Sequence, residues 1–87
     1  MVPVQWTPAA LADLAALWTD ADSEARRRIT LAVDEVDRQL VIDPLSAGES
    51  RAAGVRLVIA APLGVQFRVV GRRRLVQVFH VWRFATP

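Results

Sequence analysis

Alternation of apolar and polar residues in the last third of the chain predicts three strands joined by two tight turns. The turns are residues 61–64 (Ala-Pro-Leu-Gly) and 71–74 (Gly-Arg-Arg-Arg), because proline fixes φ and glycine accepts positive φ. Between the turns, Val65, Phe67 and Val69 are expected to share one face of a strand. The run after the second turn is apolar on both faces, which is typical of a central strand covered on both sides.

Simple alternation along this last strand predicts the face on which each side chain lies. It places His80 on the same face as Val78 and Trp82. On that pattern His80 is a core or half-buried histidine, and the alternative is an acid–base group at a site.

The first part of the chain carries the signals of one strand and one helix. Residues 2–6 alternate and predict an edge strand, since Pro3 cannot donate to a ladder. Thr7 and Pro8 predict the start of a helix that runs to about residue 19. Its core-facing stripe is predicted to be Leu11, Leu14 and Trp18.

A second helix is predicted from about residue 23 to about residue 41, after the break at residues 20–23. Residues 43–54 are small and polar and predict a loop. The element order is therefore β-α-α-β-β-β in one domain over residues 1–87. This predicts an α+β fold, with a helical hairpin packed on a small, mainly antiparallel sheet. The apolar face of the second helix is predicted to be Ile29, Ala32, Val33, Val36 and Leu40.

Charge divides the chain in two, although the net charge is only +2. Residues 1–49 hold all nine acidic residues and four arginines (net −5), and residues 50–87 hold seven arginines and no acid (net +7). A basic half beside an acidic half suggests a polyanion or an acidic protein as the partner. A compositional bias of the genome explains the absence of lysine equally well.

Several classes of chemistry lack the residues that they need. The chain has no cysteine and one histidine, so a disulfide framework, a thiolate metal site and a histidine cluster are not expected. There is no P-loop and no nucleophile-elbow motif. No apolar run reaches about 18 residues, and residues 1–6 carry no basic region or long apolar run, so no signal peptide is expected. A cytoplasmic chain without metal or cofactor is the expectation.

Arginine chemistry remains, because guanidinium groups can hold a phosphodiester and stabilise the charge that develops when a ribose 2′-hydroxyl attacks it. A nearby histidine can move the protons. Each of these arginines can also be an ordinary solvated side chain. The candidate catalytic residues are Arg83, Arg56, Arg68 and His80, and the candidate nucleic-acid-binding residues are Arg51, Arg72, Arg73 and Arg74.

The pattern resembles the RelE/ParE superfamily, the toxins of bacterial type II toxin–antitoxin systems, which include plasmid stabilisation modules. The resemblance covers nearly the whole chain and combines the element order with short motifs. These motifs are W-T-P-A-A-L-A-D-L (6–14), I-D-P-L (42–45), G-x-R-L (54–57), V-Q-F-R-V (65–69) and V-Q-V-F-H-V-W-R-F (76–84).

The resemblance implies a growth inhibitor that forms a hetero-oligomer with a cognate antitoxin. RelE-like members are endoribonucleases that cleave mRNA on the ribosome, whereas ParE-like members poison DNA gyrase without cleaving RNA. Both targets stay open at this stage, and so does a non-toxic protein-binding module.

Site residues carry over from the resemblance only in part. RelE-like members place an arginine three residues before an aromatic residue of the third strand. Here the aromatic residue is Phe67, and Gly64 stands at the arginine position. Arg56 matches a basic position on the second strand, and Arg83 with Phe84 matches the catalytic residues near the C-terminus, without a tyrosine hydroxyl.

Overall fold

The computed structural model describes residues 3–51, 54–72 and 75–84. The predicted element order is confirmed, with one short strand added inside the predicted loop. Residue 2 of the predicted first strand, residues 52–53 of that loop and Arg73 and Arg74 of the second turn lie outside the described residues. The elements are β1 (Val4–Trp6), α1 (Pro8–Asp20), α2 (Ser23–Ile42), β2 (Glu49–Ser50), β3 (Val55–Ala60), β4 (Leu63–Val70) and β5 (Leu75–Arg83).

The strands form one five-stranded sheet in the order β1-β5-β4-β3-β2. Only the pair of β1 and β5 is parallel, and the other three pairs are antiparallel. α1 packs mainly on β5, and α2 packs on β3 and β4. The predicted α+β fold is therefore confirmed. None of the helices in the described part of the chain is long and apolar enough to span a membrane.

Both helices begin at side-chain caps that the sequence provides. The Thr7 hydroxyl accepts the N–H of Ala10 at 3.2 Å, and Pro8 occupies the first helical position. A carboxylate oxygen of Asp22 accepts the N–H of Ala25 at 2.8 Å. These contacts satisfy N–H groups that have no partner within the helix, so each helix begins at a defined residue.

The core lies between the two helices and one face of the sheet. The predicted face of α2 is confirmed, since Val33 packs against the core and the other four residues of that face are buried. The largest fully buried side chains are Phe67, Ile29, Leu40, Leu63, Val36, Val65, Val76 and Val78. We call the sheet face that packs on the helices the covered face and the opposite one the open face.

The predicted core stripe of α1 is wrong in two of its three residues. Leu11 is 52% exposed and Trp18 is 41% exposed, whereas Ala10 is fully buried. The small side chain of Ala10 lets α1 approach β5 closely, and the predicted Leu14 packs against the core together with Leu17. Two residues of the predicted stripe border a cleft of about 160 Å³ between the helices. The cleft is lined by Leu14, Trp18, Ile29, Thr30, Val33 and Asp34.

A β-bulge in β5 changes the face on which its last residues lie. Gln66 of β4 pairs with His80, but the next residue, Phe67, pairs with Val78, so Phe79 is the additional residue. Val78 and Val81 therefore both lie on the covered face and are buried. The prediction from simple alternation that His80 shares a face with Val78 is wrong for this reason.

Candidate functional site

The open face carries side chains of β4 and the side chains of β5 that the bulge directs to this face. By strand alternation from buried Val65 and Phe67, Gly64, Gln66 and Arg68 of β4 point to the open face. His80 pairs with Gln66 and is exposed. A single histidine and one of the predicted arginines are therefore brought to the same face on neighbouring strands.

His80 is held by a carboxylate that comes from α1. Its Nδ1 atom lies 2.8 Å from Oδ2 of Asp13, and the same oxygen accepts the N–H of Val81 at 3.2 Å. The side chains are 50% exposed for His80 and 35% for Asp13. The hydrogen bond with His80, and next the one with Val81, holds the pKa of Asp13 below its ordinary value, since both favour the charged carboxylate.

The indole of Trp82 covers the position at which the resemblance predicts an arginine. A Cβ atom built on Gly64 would clash with Cζ2, Cε2 and Cη2 of Trp82. The ring therefore lies directly on the glycine backbone, on the open face. The ring also stacks with His80, with ring centroids 5.4 Å apart and an angle of 26° between the planes. Glycine at position 64 is thus explained by packing.

Arg68 contributes a positive charge to the open face. It is exposed, and its guanidinium lies over the Phe79 ring, 4.6 Å from the centroid. Such a cation–π contact restrains the guanidinium while its N–H groups stay available to an anion. Arg68 is two residues along β4 from Gln66, which pairs with His80.

Arg56 lies on the covered face, because it pairs with buried Phe67. One of its terminal nitrogens donates to the carbonyl of Leu45 at 2.8 Å and to those of Ala47 and Gly48 at 3.4 Å each. Its Nε atom is buried without a hydrogen-bond partner. The guanidinium thus holds the segment after α2 against β3, away from the open face.

Three more of the predicted arginines, all within the described residues, lie at the margins of the sheet. Arg83 is exposed at the end of β5 and pairs with Leu63, so by alternation it points to the covered side, away from His80. Arg51 forms an ion pair with Glu49 at 3.5 Å. Arg72 is exposed in the turn after β4, with a φ of 53°.

No group of three or more histidine, cysteine, aspartate or glutamate side chains that could hold a metal ion occurs within the described ranges. Asp13 is a candidate site residue that the sequence patterns do not predict. It appears there only as a polar position on the first helix, and no local spacing points to a contact with a residue 67 positions away.

No protein-family model matches the sequence, and no characterised protein matches it at a significant level of sequence similarity. Solved structures do match over the whole chain. The chromosomal ParDE toxin–antitoxin system from P. aeruginosa gives a TM-score of 0.79 at 26% identity, covering 98% of each chain.

Two further structures extend this likeness. The RelBE2 toxin–antitoxin complex from Mycobacterium tuberculosis gives a TM-score of 0.75 at 24% identity, covering 99% of this chain and 97% of the other. The isolated E. coli RelE toxin gives 0.64 at 13% identity, covering 100% of this chain and 88% of the other. The chain shares its fold from end to end with these proteins, and this likeness, at 26% identity to the ParDE system, supports its assignment to the RelE/ParE superfamily.

Proposed function

We propose that this chain is the toxin component of a type II toxin–antitoxin system and that a cognate antitoxin neutralises it. The observation that carries the proposal is the end-to-end match to a ParDE system at 26% identity. The charge of the chain supports it, because residues 50–87 hold seven arginines and no acid. Such a surface suits an acidic segment of a protein partner, which would bind it by charge complementarity.

Controlled expression in a bacterium tests this proposal. We expect the chain alone to stop growth and co-expression of the small protein encoded beside it to restore growth. The control is Val65→Asp, which places a charge at a fully buried core position and so prevents folding. Equal growth with the wild type and with this variant would contradict a toxin.

For the mechanism, we propose cleavage of mRNA on the ribosome, with the open face as the site. The observation that favours it is His80, whose Nδ1 faces Asp13 while half of the side chain is exposed. The free nitrogen can take the proton of a ribose 2′-hydroxyl as its oxygen bonds to phosphorus. The bond to the 5′-oxygen breaks, and that oxygen takes a proton from water, leaving a 2′,3′-cyclic phosphate and a 5′-hydroxyl.

In this proposal the arginines act on the phosphates. Arg68, on the same face as His80, is the candidate to stabilise charge on the phosphodiester under attack. Arg51 and Arg72, with Arg73 and Arg74, are candidates to bind the RNA backbone, and Arg83 at the end of β5 is a candidate at the rim of the site. Binding that depends on arginine–phosphate contacts weakens steeply with salt.

A second candidate is a poison of DNA gyrase that cleaves no RNA. Two observations favour it: the position at which RelE-like members carry an arginine is Gly64 under the Trp82 ring, and the ParDE system is more similar to this chain than E. coli RelE is. Both targets are cytoplasmic.

A translating bacterial extract separates the two mechanisms. Cleavage of ribosome-bound message that is lost in His80→Ala and reduced in Arg68→Ala and Arg83→Ala supports the ribonuclease. Arg27→Ala, which removes an exposed arginine of α2, is the matched control and should cleave as the wild type does. Growth arrest with intact message and a DNA-damage response would instead support the gyrase poison.

A further inference from the structure

The outer edge of β5 is only partly covered by another strand. β1 pairs with residues 76–78 of β5 and ends at Trp6, after which the chain turns into α1. Beyond that point the carboxylate of Asp13 takes the place of a neighbouring strand, because it accepts the N–H of Val81 at 3.2 Å. The same oxygen faces Nδ1 of His80 at 2.8 Å, so one carboxylate joins α1 to both residues.

This geometry decides which ring nitrogen of His80 carries the proton. An ionised carboxylate can only accept hydrogen bonds, so Nδ1 must donate, and in the neutral ring Nε2 is then the acceptor. The ring is further restrained by its stack on Trp82, which lies on Gly64. The imidazole is thus oriented by a carboxylate at one edge and an indole on one face.

We propose that Asp13 is a positioning residue for the cleavage reaction, which holds His80 in the tautomer whose Nε2 accepts the 2′-hydroxyl proton. The proposal rests on the ribonuclease mechanism proposed above and assigns a role to a helix residue that never contacts the RNA. Asp13 from α1 contacts the ring, Arg68 lies on the same open face in neighbouring β4, and the residue paired with His80 is the neutral Gln66.

The variant Asp13→Asn tests this role with little change in shape. Because one oxygen of Asp13 meets both Nδ1 of His80 and the N–H of Val81, the amide has to turn to place its oxygen on the N–H of Val81 and its NH₂ group on Nδ1. In that orientation the NH₂ group donates to Nδ1, which favours the opposite tautomer with the proton on Nε2. A carboxamide that orients a histidine wrongly can lower kcat by about 10⁴-fold, as the serine-protease triad shows.

The first measurement is the tautomer of the imidazole by ¹⁵N NMR of the untagged chain. The assignment is direct because the chain holds a single histidine. We expect the neutral ring to carry its proton on Nδ1 in the wild type and on Nε2 in Asp13→Asn. Asp34→Asn, which removes an exposed acid on α2, is the control and should keep the wild-type tautomer.

The second measurement is the rate of message cleavage in the translating extract across pH. We expect Asp13→Asn to lower kcat by about 10²- to 10⁴-fold with little change in KM and to alter the pH profile, with Asp13→Glu recovering part of the rate. A merely structural role would lower the amount of folded protein without changing the tautomer or the pH profile.

The outcomes separate this role from the ribonuclease itself. A wild type that cleaves message while Asp13→Asn carries its proton on Nε2 and cleaves equally fast overturns the positioning role alone. If the amide leaves the proton on Nδ1, Asp13→Ala, which removes the acceptor, decides the matter, and a wild-type rate in that variant overturns the positioning role. A wild type that holds the expected tautomer but cleaves no message overturns both the ribonuclease and the positioning role.

Discussion

The contact between Gly64 and Trp82 gives a sharp prediction about stability. In Gly64→Ala the new methyl group would occupy the volume of three indole atoms of Trp82. The ring cannot turn aside without losing its stack on His80. Overpacking of this kind typically costs about 1–3 kcal/mol, so we expect Gly64→Ala to lower the free energy of unfolding by about that amount.

A double-mutant cycle measures this contact directly. In a Trp82→Ala background the methyl group meets no ring, and alanine also loses less backbone entropy than glycine on folding, by about 0.5–1 kcal/mol. Gly64→Ala should then be neutral or slightly stabilising, which gives a coupling energy of about 1–4 kcal/mol. Urea unfolding followed by far-UV circular dichroism is the assay, since it does not depend on tryptophan fluorescence.

A second glycine serves as the control. Gly54 has a φ of 75°, and a Cβ atom added there meets nothing within 4 Å. Gly54→Ala should therefore be destabilising through backbone strain, by the same amount with and without Trp82. If Gly64→Ala costs as much in the Trp82→Ala background as in the wild type, the explanation of Gly64 by the indole is refuted.

Three further predictions concern other parts of the structure. Arg56→Ala should lower the free energy of unfolding by about 1.5–3 kcal/mol, because it frees three backbone carbonyls, and a change near zero would contradict that role. Phe67→Ala should cost about 3–5 kcal/mol in the same urea assay, since the ring is fully buried. Asp13→Asn should be less stable than the wild type above the ordinary aspartate pKa of 3.8, and this difference should shrink as pH falls through the lower pKa of the folded state. A difference that grows towards acid pH would contradict a stabilising role of the charged Asp13 carboxylate.

Period alone predicts the buried faces of α2 and β4 well. The 3.6-residue pattern of α2 and the two-residue pattern of β4 are carried by large aliphatic and aromatic side chains, so their buried faces follow from sequence. α1 is different, because its buried face is centred on Ala10. A small residue gives little hydrophobic signal, although it is what allows the helix to approach β5, and so the larger Leu11 and Trp18 misled the prediction.

The site was less predictable than the fold, because it depends on contacts between residues far apart in sequence. His80 and Arg68 were identified by residue type, but their common face depends on the bulge at Phe79. No turn residue or glycine marks that bulge, since Phe79 continues an ordinary apolar run. Asp13 could be connected to His80 only once α1 had been placed along the edge of β5.

The departures from the RelE pattern are physically linked. Without the extra residue at Phe79, alternation would send Trp82 and His80 to the covered face, where Val78 and Val81 now pack. Once the bulge directs Trp82 to the open face, its ring fills the volume above position 64, and only glycine fits there. An arginine at position 64 and an indole at position 82 therefore exclude each other. If His80 is the centre of the site as proposed, Gly64→Arg with Trp82 still in place should destabilise the chain and add no cleavage activity.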